Sequence, residues 1–369
     1  MESVDAMRGF AMFWILGGDA LAWALRDMSA GKSGWLAAAG TFIGDQLDHV
    51  AWVGMTFYDL ILPLFMFIVG VSIVFSLRRL VEREGKAAAH VRVIRRSLLL
   101  FALGVIYYGG VSVLWPDIRL LGVLQRIALC YLFASFLFLN LRPRGLVVAF
   151  ATLLVGYWAL MTFVPVPGVG AGSFVEGENL ANWIDMQYLP GMKWDGAWDP
   201  EGLLSTLPAI ATCLLGVFAG LVLMDARVDA RRKSFWFIGA GIALLAVGYL
   251  WGLQFPVIKK IWTSSFVLVS GGLSLILLGL FHQLIDVRGY RAWSAIFMWI
   301  GANAIALYLV NNVARFQELA KRLVGGDIAD FLDRAIVNGA GAFVIAVGAL
   351  ALSAALAAFL YRRKIFIRV

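Results

Sequence analysis

A chain of 369 residues that is 62% hydrophobic and only 15% charged, with a mean hydropathy of +0.85, lies outside the ~45 to 50% apolar share of soluble domains. Runs of about 20 apolar residues recur, the length a helix needs to cross a hydrocarbon core of roughly 30 Å, in place of the alternating ~10-residue segments of an outer-membrane barrel. The fold class is therefore all-α, a polytopic transmembrane helical bundle, and the net charge of +8 is assigned to cytoplasmic loops under the positive-inside rule and not to nucleic-acid binding. Cys130 and Cys213 lie inside apolar runs, where thiols act as small hydrophobes, so no disulfide framework is expected. No His/Cys/Asp cluster has the spacing of metal ligands, and neither a phosphate loop nor a nucleophile elbow occurs. Hydrolase and nucleotidase readings therefore have no motif, and no metal is expected.

In chain order, apolar runs fall near residues 7–25, 58–77, 97–115, 120–140, 145–164, 203–224, 234–253, 262–285, 293–314 and 337–360. The sequence predicts ten spans in one transmembrane domain covering 1–369, with the first span retained because no small-residue cleavage site follows it. Basic residues then sort the connections. Arg78, Arg79, Arg83, Lys86, Arg92, Arg95 and Arg96 follow span two, Arg142 and Arg144 follow span four, and Arg362, Arg363, Lys364 and Arg368 end the chain. Those sides, and both termini, are expected in the cytoplasm. The gaps 26–57, 165–202 and 315–336 face outward, the first with a short interfacial helix over 35–47. Lys259 and Lys260 break the charge rule in a short outward gap, which suits an anionic ligand. The loop 165–202 is long, which often signals function; its aromatic residues Phe174, Trp183, Tyr188, Trp194 and Trp198 and its carboxylates suit a sugar, or else an interfacial aromatic belt. No internal repeat is visible, which argues against many secondary transporters.

Ionisable groups within spans cost about 2.5 to 3.5 kcal/mol on insertion scales and mark function by default. Asp19 follows Gly17 and Gly18 in span one, at the expected depth of His49, which stands at the outward mouth of span two. A carboxylate there can orient an imidazole, and pairing with an interhelical arginine is the alternative. Asp59 sits in the first turn of span two, where it either caps the helix or joins the site. Gln125 and Arg126 lie inside span four with Arg119 one turn before them; arginines there suit phosphate or a buried salt bridge to Asp19, Asp59 or Glu201. Asn303 is an amide among small residues in span nine, for packing or for a ligand. His90 and His282 carry no comparable context.

Five motifs in order, Asp5-Ala-Met-Arg8-Gly9, the stretch from His49 to Ser72, Gly122-Val-Leu-Gln125-Arg126, Asp199-Pro-Glu201-Gly202 and Pro256-Val-Ile-Lys259-Lys260-Ile-Trp262, resemble the transmembrane acyltransferase family of heparan-α-glucosaminide N-acetyltransferase. The resemblance runs over nearly the whole chain. It implies acetyl transfer from acetyl-CoA to the amine of a glucosamine-containing sugar on the far side of the membrane, in a bacterial relative of the cytoplasmic membrane, surrounded by lipid and forming a homodimer. It also implies that His49 is the catalytic histidine. Asp19 falls where the family's lysosomal enzyme has an asparagine, a departure that leaves its role open. Arg119, Arg126, Lys259 and Lys260 are the cations expected to meet CoA phosphates, with Gln125 and Asn303 as donors near the thioester, and Trp52, Asp199 and Glu201 as sugar contacts. His49 can act as general base, its ordinary pKa of about 6.5 being suited to an aminosugar, or carry the acetyl group. An O-acyltransferase acting on envelope glycans and an amino-sugar transporter are the competing functions.

Overall fold

The structure, a computed structural model, describes residues 1–367; Arg368, counted above among the basic residues of the tail, lies outside them. In chain order the helices are α1 (Glu2–Phe13), α2 (Asp19–Ser29), α3 (Trp35–Gln46), α4 (Ile61–Tyr107), α5 (Val123–Asn140), α6 (Pro143–Phe163), α7 (Leu180–Tyr188), α8 (Thr206–Met224), α9 (Ala230–Gly252), α10 (Ser264–Phe281), α11 (Ala295–Ala302), α12 (Ala304–Ala314), α13 (Phe316–Val324), α14 (Asp327–Ala335) and α15 (Ala340–Arg362). The protein is all-α and polytopic. Among the described residues seven helical stretches are long and apolar enough to cross a membrane, or eight if α11 and α12, bent by 73°, form one broken span.

The helices depart from the hydropathy reading where single residues interrupt or extend them. The basic stretch from Arg78 to Arg96, expected as a loop, is helical, because Arg, Leu, Glu, Lys and Ala are strong helix formers. It fuses spans two and three into the 47-residue α4, which is interrupted only at Gly85, whose φ of 83° and ψ of 171° leave helical space. Each half, at 1.5 Å per residue, is about 33 to 36 Å long, near the thickness of a bilayer core. Span one is divided by a π turn, Trp14–Gly18, with Gly17 at φ 135°. The gap 315–336, expected to face outward, is occupied by α13 and α14, and α3 forms where an interfacial helix was expected.

The chain divides into two compact units. One comprises residues 1–51, 55–61 and 281–367. In it α1 packs on α11 at small residues: a Cβ on Gly9 would fall on the carbonyl of Phe297, and one on Gly301 on the carbonyl of Asp5. Such close backbone approach is how membrane helices gain dispersion contact without a hydrophobic drive. Phe10 fills the adjoining space, edge-on to Trp14, Phe57, Phe281 and Phe297. α15 packs on α2, α11, α13 and α14.

The second unit comprises residues 52–54 and 62–280. Here α8 is central, contacting α5, α6 and α9 and meeting α4 where Gly70 faces Gly216. Tyr157, Met161, Leu180, Phe255, Ile258 and Ile261 form a buried cluster, against which Trp52, Phe174 and Trp183 pack. α7 opens with Asn179, whose side chain accepts from Asn182 N, a side-chain cap of the usual kind.

Candidate active site

In the first unit, residues 47–51 and 55–61 make their own scaffold. Arg26 on α2 pairs with Asp45 at 2.8 Å and Asp48 at 3.3 Å, Phe57 N donates to Gln46 Oε1 at 3.2 Å, and Thr56 Oγ1 donates to Asp48 O at 2.6 Å. These bonds hold an irregular loop ahead of the turn Tyr58–Leu60 that opens into α4. Asp59 is fully buried. Its Oδ2 accepts from Val50 N and Thr56 N and lies 3.0 Å from Thr56 Oγ1, and its Oδ1 lies 2.7 Å from His49 Nδ1. The His49 side chain is half-exposed. A carboxylate can only accept here, so the pairing selects the Nδ1–H tautomer of the neutral ring and leaves Nε2 as the basic atom. Asp59, weighed above as a helix cap, is the aspartate that meets His49.

Asp19, expected beside the imidazole, is the first residue of α2. Its Oδ1 accepts from Ala20 N at 2.8 Å and its Oδ2 from the Tyr58 hydroxyl at 3.2 Å. The Tyr58 ring in turn lies against the His49 ring, centroids 4.7 Å apart. Asp19 thus reaches His49 through Tyr58, a residue the sequence reading passed over. Its position directly before Asp59 in the motif was the available signal.

In the second unit three of the expected cations, Arg119, Arg126 and Lys259, act on Glu201. Arg119 is buried, donating through Nε and Nη2 to both oxygens of Asp199 (2.9 and 2.7 Å) and through Nη2 to Glu201 at 2.7 Å. Its guanidinium lies 4.5 Å from the Tyr108 ring and 4.9 Å from that of Trp194. Burial alone pulls the Arg119 pKa down, but the Asp199 hydrogen bonds and the Glu201 charge more than offset it and hold the group above its ordinary value. Asp199 also accepts from Trp194 N and Glu201 N, so all of its visible capacity goes to fixing this loop. Burial raises the Glu201 pKa against the opposing charges of Arg126, Arg119 and Lys259.

Arg126 is different. It is fully buried, its Nη2 donates to Ser205 Oγ and Gly202 O, and its plane lies 4.9 Å from the Trp262 ring. Among the described residues Nε and Nη1 have no acceptor, nor has Gln125 Oε1 a donor, although Gln125 Nε2 donates to Arg119 O at 3.3 Å. Trp262 itself adopts φ 51°, left-handed backbone that a bulky side chain rarely enters, with its indole N–H on Thr212 Oγ1 at 3.1 Å. Strain of this kind, about 1–3 kcal/mol, persists where the surroundings enforce it, and it clusters at functional sites. Lys260 pairs with Asp195 at 3.0 Å and Glu176 at 3.4 Å beside the Trp198 ring.

The family model for the catalytic region of heparan-alpha-glucosaminide N-acetyltransferase matches residues 1–248. The chain belongs to that family. It is 28% identical to the human heparan-alpha-glucosaminide N-acetyltransferase over 376 aligned residues, covering 85% of this chain and 53% of the human protein. To the mouse protein of the same name it is 27% identical over 326, covering 72% and 49%. The chain spans about half the length of the curated relatives it matches.

Within this family frame the anticipated residues fall into three groups. His49, Asp59 and, through Tyr58, Asp19 come together in one unit; Arg119, Gln125, Arg126, Lys259, Lys260, Asp199 and Glu201 gather in the other. Asn303 joins neither. Its amide bonds the chain's own tail, donating to Ile365 O and accepting from Ile367 N, so it ties down the C-terminal segment. Trp52 spends its indole N–H on Phe174 O at 2.9 Å and stands edge-on to Trp198. Of the aromatic loop residues, Trp194 and Tyr188 are exposed whereas Trp198 is buried. Among the described residues no group of three His, Cys, Asp or Glu side chains is placed to hold a metal ion.

Proposed function

We propose that this integral membrane protein transfers acetyl from acetyl-CoA to the amine of a glucosamine-type sugar at the non-cytoplasmic face of a bacterial cytoplasmic membrane. The single observation that carries the reading is the half-exposed imidazole of His49 held at 2.7 Å by the buried carboxylate of Asp59. Membership of an N-acetyltransferase family supports the reaction class. The acceptor arrives as an ammonium. His49 Nε2 takes one of its protons and passes it to solvent, and the freed amine attacks the thioester carbonyl; Nε2 then takes a second proton from the nitrogen of the tetrahedral intermediate, whose collapse expels CoA as a thiolate that receives that proton from the imidazolium. Asp59 keeps the ring in the Nδ1–H tautomer and stabilises the imidazolium formed midway. In the variant route, Nε2 attacks the thioester first and passes the acetyl group on.

The CoA phosphates need cations. Arg126 suits that role best, because two of its guanidinium nitrogens are buried without an acceptor among the described residues, a costly state that an anion would relieve. Gln125, whose Oε1 is equally unpartnered, borders it. Arg119 is already neutralised by Asp199 and Glu201, which makes it a support for Arg126 rather than a phosphate ligand. Purified protein supplied with radiolabelled acetyl-CoA and glucosamine tests the reading. Label should pass to the sugar nitrogen, and His49→Ala should abolish transfer; full activity in that variant would overturn the assignment of His49.

A further inference from the structure

Two apolar grooves flank α5 in the second unit. The larger, about 760 Å³, lies among α5, α6 and α8 and has Leu137, Asn140 and Ala149 in its lining. The smaller, about 330 Å³, lies between α5 and the second half of α4, with Ile94 and Phe101 in its wall. Leu129, Phe133 and Phe136 of α5 belong to both. They form the ridge that separates two parallel channels, and Phe133 stands 48% exposed along it. From Leu129 to Asn140 the ridge is about 16 Å long, close to half the ~30 Å hydrocarbon core, the depth of one leaflet.

One end of the ridge is polar and basic. His90 stands there: its ring meets Phe136, centroids 5.0 Å apart, its Nε2 lies 3.1 Å from Asn140 Nδ2, and its Nδ1 lies 2.9 Å from Lys86 O. His90 and Ile94 are one turn apart on α4, so the histidine closes the face that lines the smaller groove. Leu141 lines the larger groove, and the exposed Arg142 and Arg144 follow it directly, with Lys86 exposed one turn from His90. Two narrow apolar channels that converge on one cluster of cations match a molecule with two hydrocarbon chains and a single anionic head. A flat face for a second copy of the chain would not need the dividing ridge, and its apolar side chains would leave the cations unanswered.

We propose that this surface seats an anionic diacyl phospholipid, one chain in each groove astride Phe133 and Phe136, its phosphate held by Arg142, Arg144 and Lys86 beside the His90–Asn140 pair. Basic juxtamembrane residues attract anionic headgroups at about 1 kcal/mol each, and the chains supply the remaining affinity by burial.

Native mass spectrometry and thermal melting of the full chain in detergent test the proposal, with dioleoyl phosphatidylglycerol, dioleoyl phosphatidylcholine and inorganic phosphate added separately. Phosphatidylglycerol should be retained at one equivalent and raise the melting temperature, with phosphatidylcholine and phosphate doing neither. R142Q/R144Q should weaken phosphatidylglycerol by roughly thirtyfold, two cations' worth, while A149F, which obstructs the larger groove at its rim, should weaken it without changing the headgroup preference. Equal retention of both lipids, or equal stabilisation by free phosphate, would overturn the proposal. So would a lipid-free dimer that A149F dissociates, since the grooves would then hold a second copy.

Discussion

At the scale of single residues, the proposed mechanism separates groups that do chemistry from groups that hold them. Asp59→Asn keeps the shape but offers an amide to Nδ1, which can favour the wrong ring tautomer. In the analogous serine-protease case such a change costs about 10⁴ in kcat, so kcat for acetyl transfer should fall by roughly 10² to 10⁴ with KM for the sugar little altered, as steady-state kinetics will read. Arg119 and Arg126, one turn before and inside span four, should diverge. Arg119→Gln leaves Asp199 and Glu201 buried without their cation, a loss on the order of 3 to 5 kcal/mol, visible as reduced melting temperature and yield. Arg126→Gln removes an already under-satisfied charge; that variant should fold and show a raised KM for acetyl-CoA. Sequence alone marked both arginines alike: a salt bridge to Glu201 was among the alternatives and is what Arg119 makes, but which arginine takes it, and that Asp199, 80 residues away, joins it, depends on the fold. His49 was legible for the opposite reason: an ionisable side chain beside a span stands out against apolar neighbours. Its pairing with Asp59, ten positions on, depends on how the chain between them closes, and Asp19 at a similar expected depth was an equally good candidate on spacing.

At the scale of elements, the spans were legible because apolar runs of the right length have few other uses, but their breaks were not. A hydropathy window averages over Gly17, Gly85 and Asn303, each a single residue that redirects a helix. Gly17 is the break that bears on the site, because the π turn it allows sets the start of α2 and with it the aim of Asp19 toward Tyr58. A Cβ there would find room, the nearest atoms being those of Leu350 at 3.9 Å; what forbids it is the φ of 135°. Gly17→Ala should therefore cost about 1 to 3 kcal/mol or straighten the span, and in either case lower kcat. Gly9→Ala, which instead drives a methyl into the Phe297 carbonyl, should weaken the α1–α11 contact. Measuring melting temperature and kcat together separates the two: loss of activity at retained stability points to the bend, loss of both to packing.

For the molecule as a whole, composition dictated the solvent, and electrostatics in the long loop 165–202 sets how stability responds to pH. Asp185 on α7 is 2% exposed, and burial pushes its pKa from 3.8 up to about 6, against the hydrogen bond it accepts from Leu203 N and the charge of Arg126. The unfolded chain releases this proton near pH 4, so between about pH 4 and 6 the folded state binds more protons than the unfolded one. Stability from this group is then fully present below pH 4 and lost as pH rises through 6. A shift of about two units corresponds to roughly 3 kcal/mol at most, and Glu201, raised by burial in the same direction, adds to the trend. Asp185→Asn keeps an acceptor for Leu203 N and cannot ionise. The wild-type protein should therefore lose more melting temperature than this variant between pH 4.5 and 7.5, with the variant retaining the smaller slope due to Glu201. Parallel pH profiles for the two proteins would mean that Asp185 is ionised in the folded state throughout, with Arg126 as its effective counter-charge, and Arg126 would then be less available to an incoming phosphate.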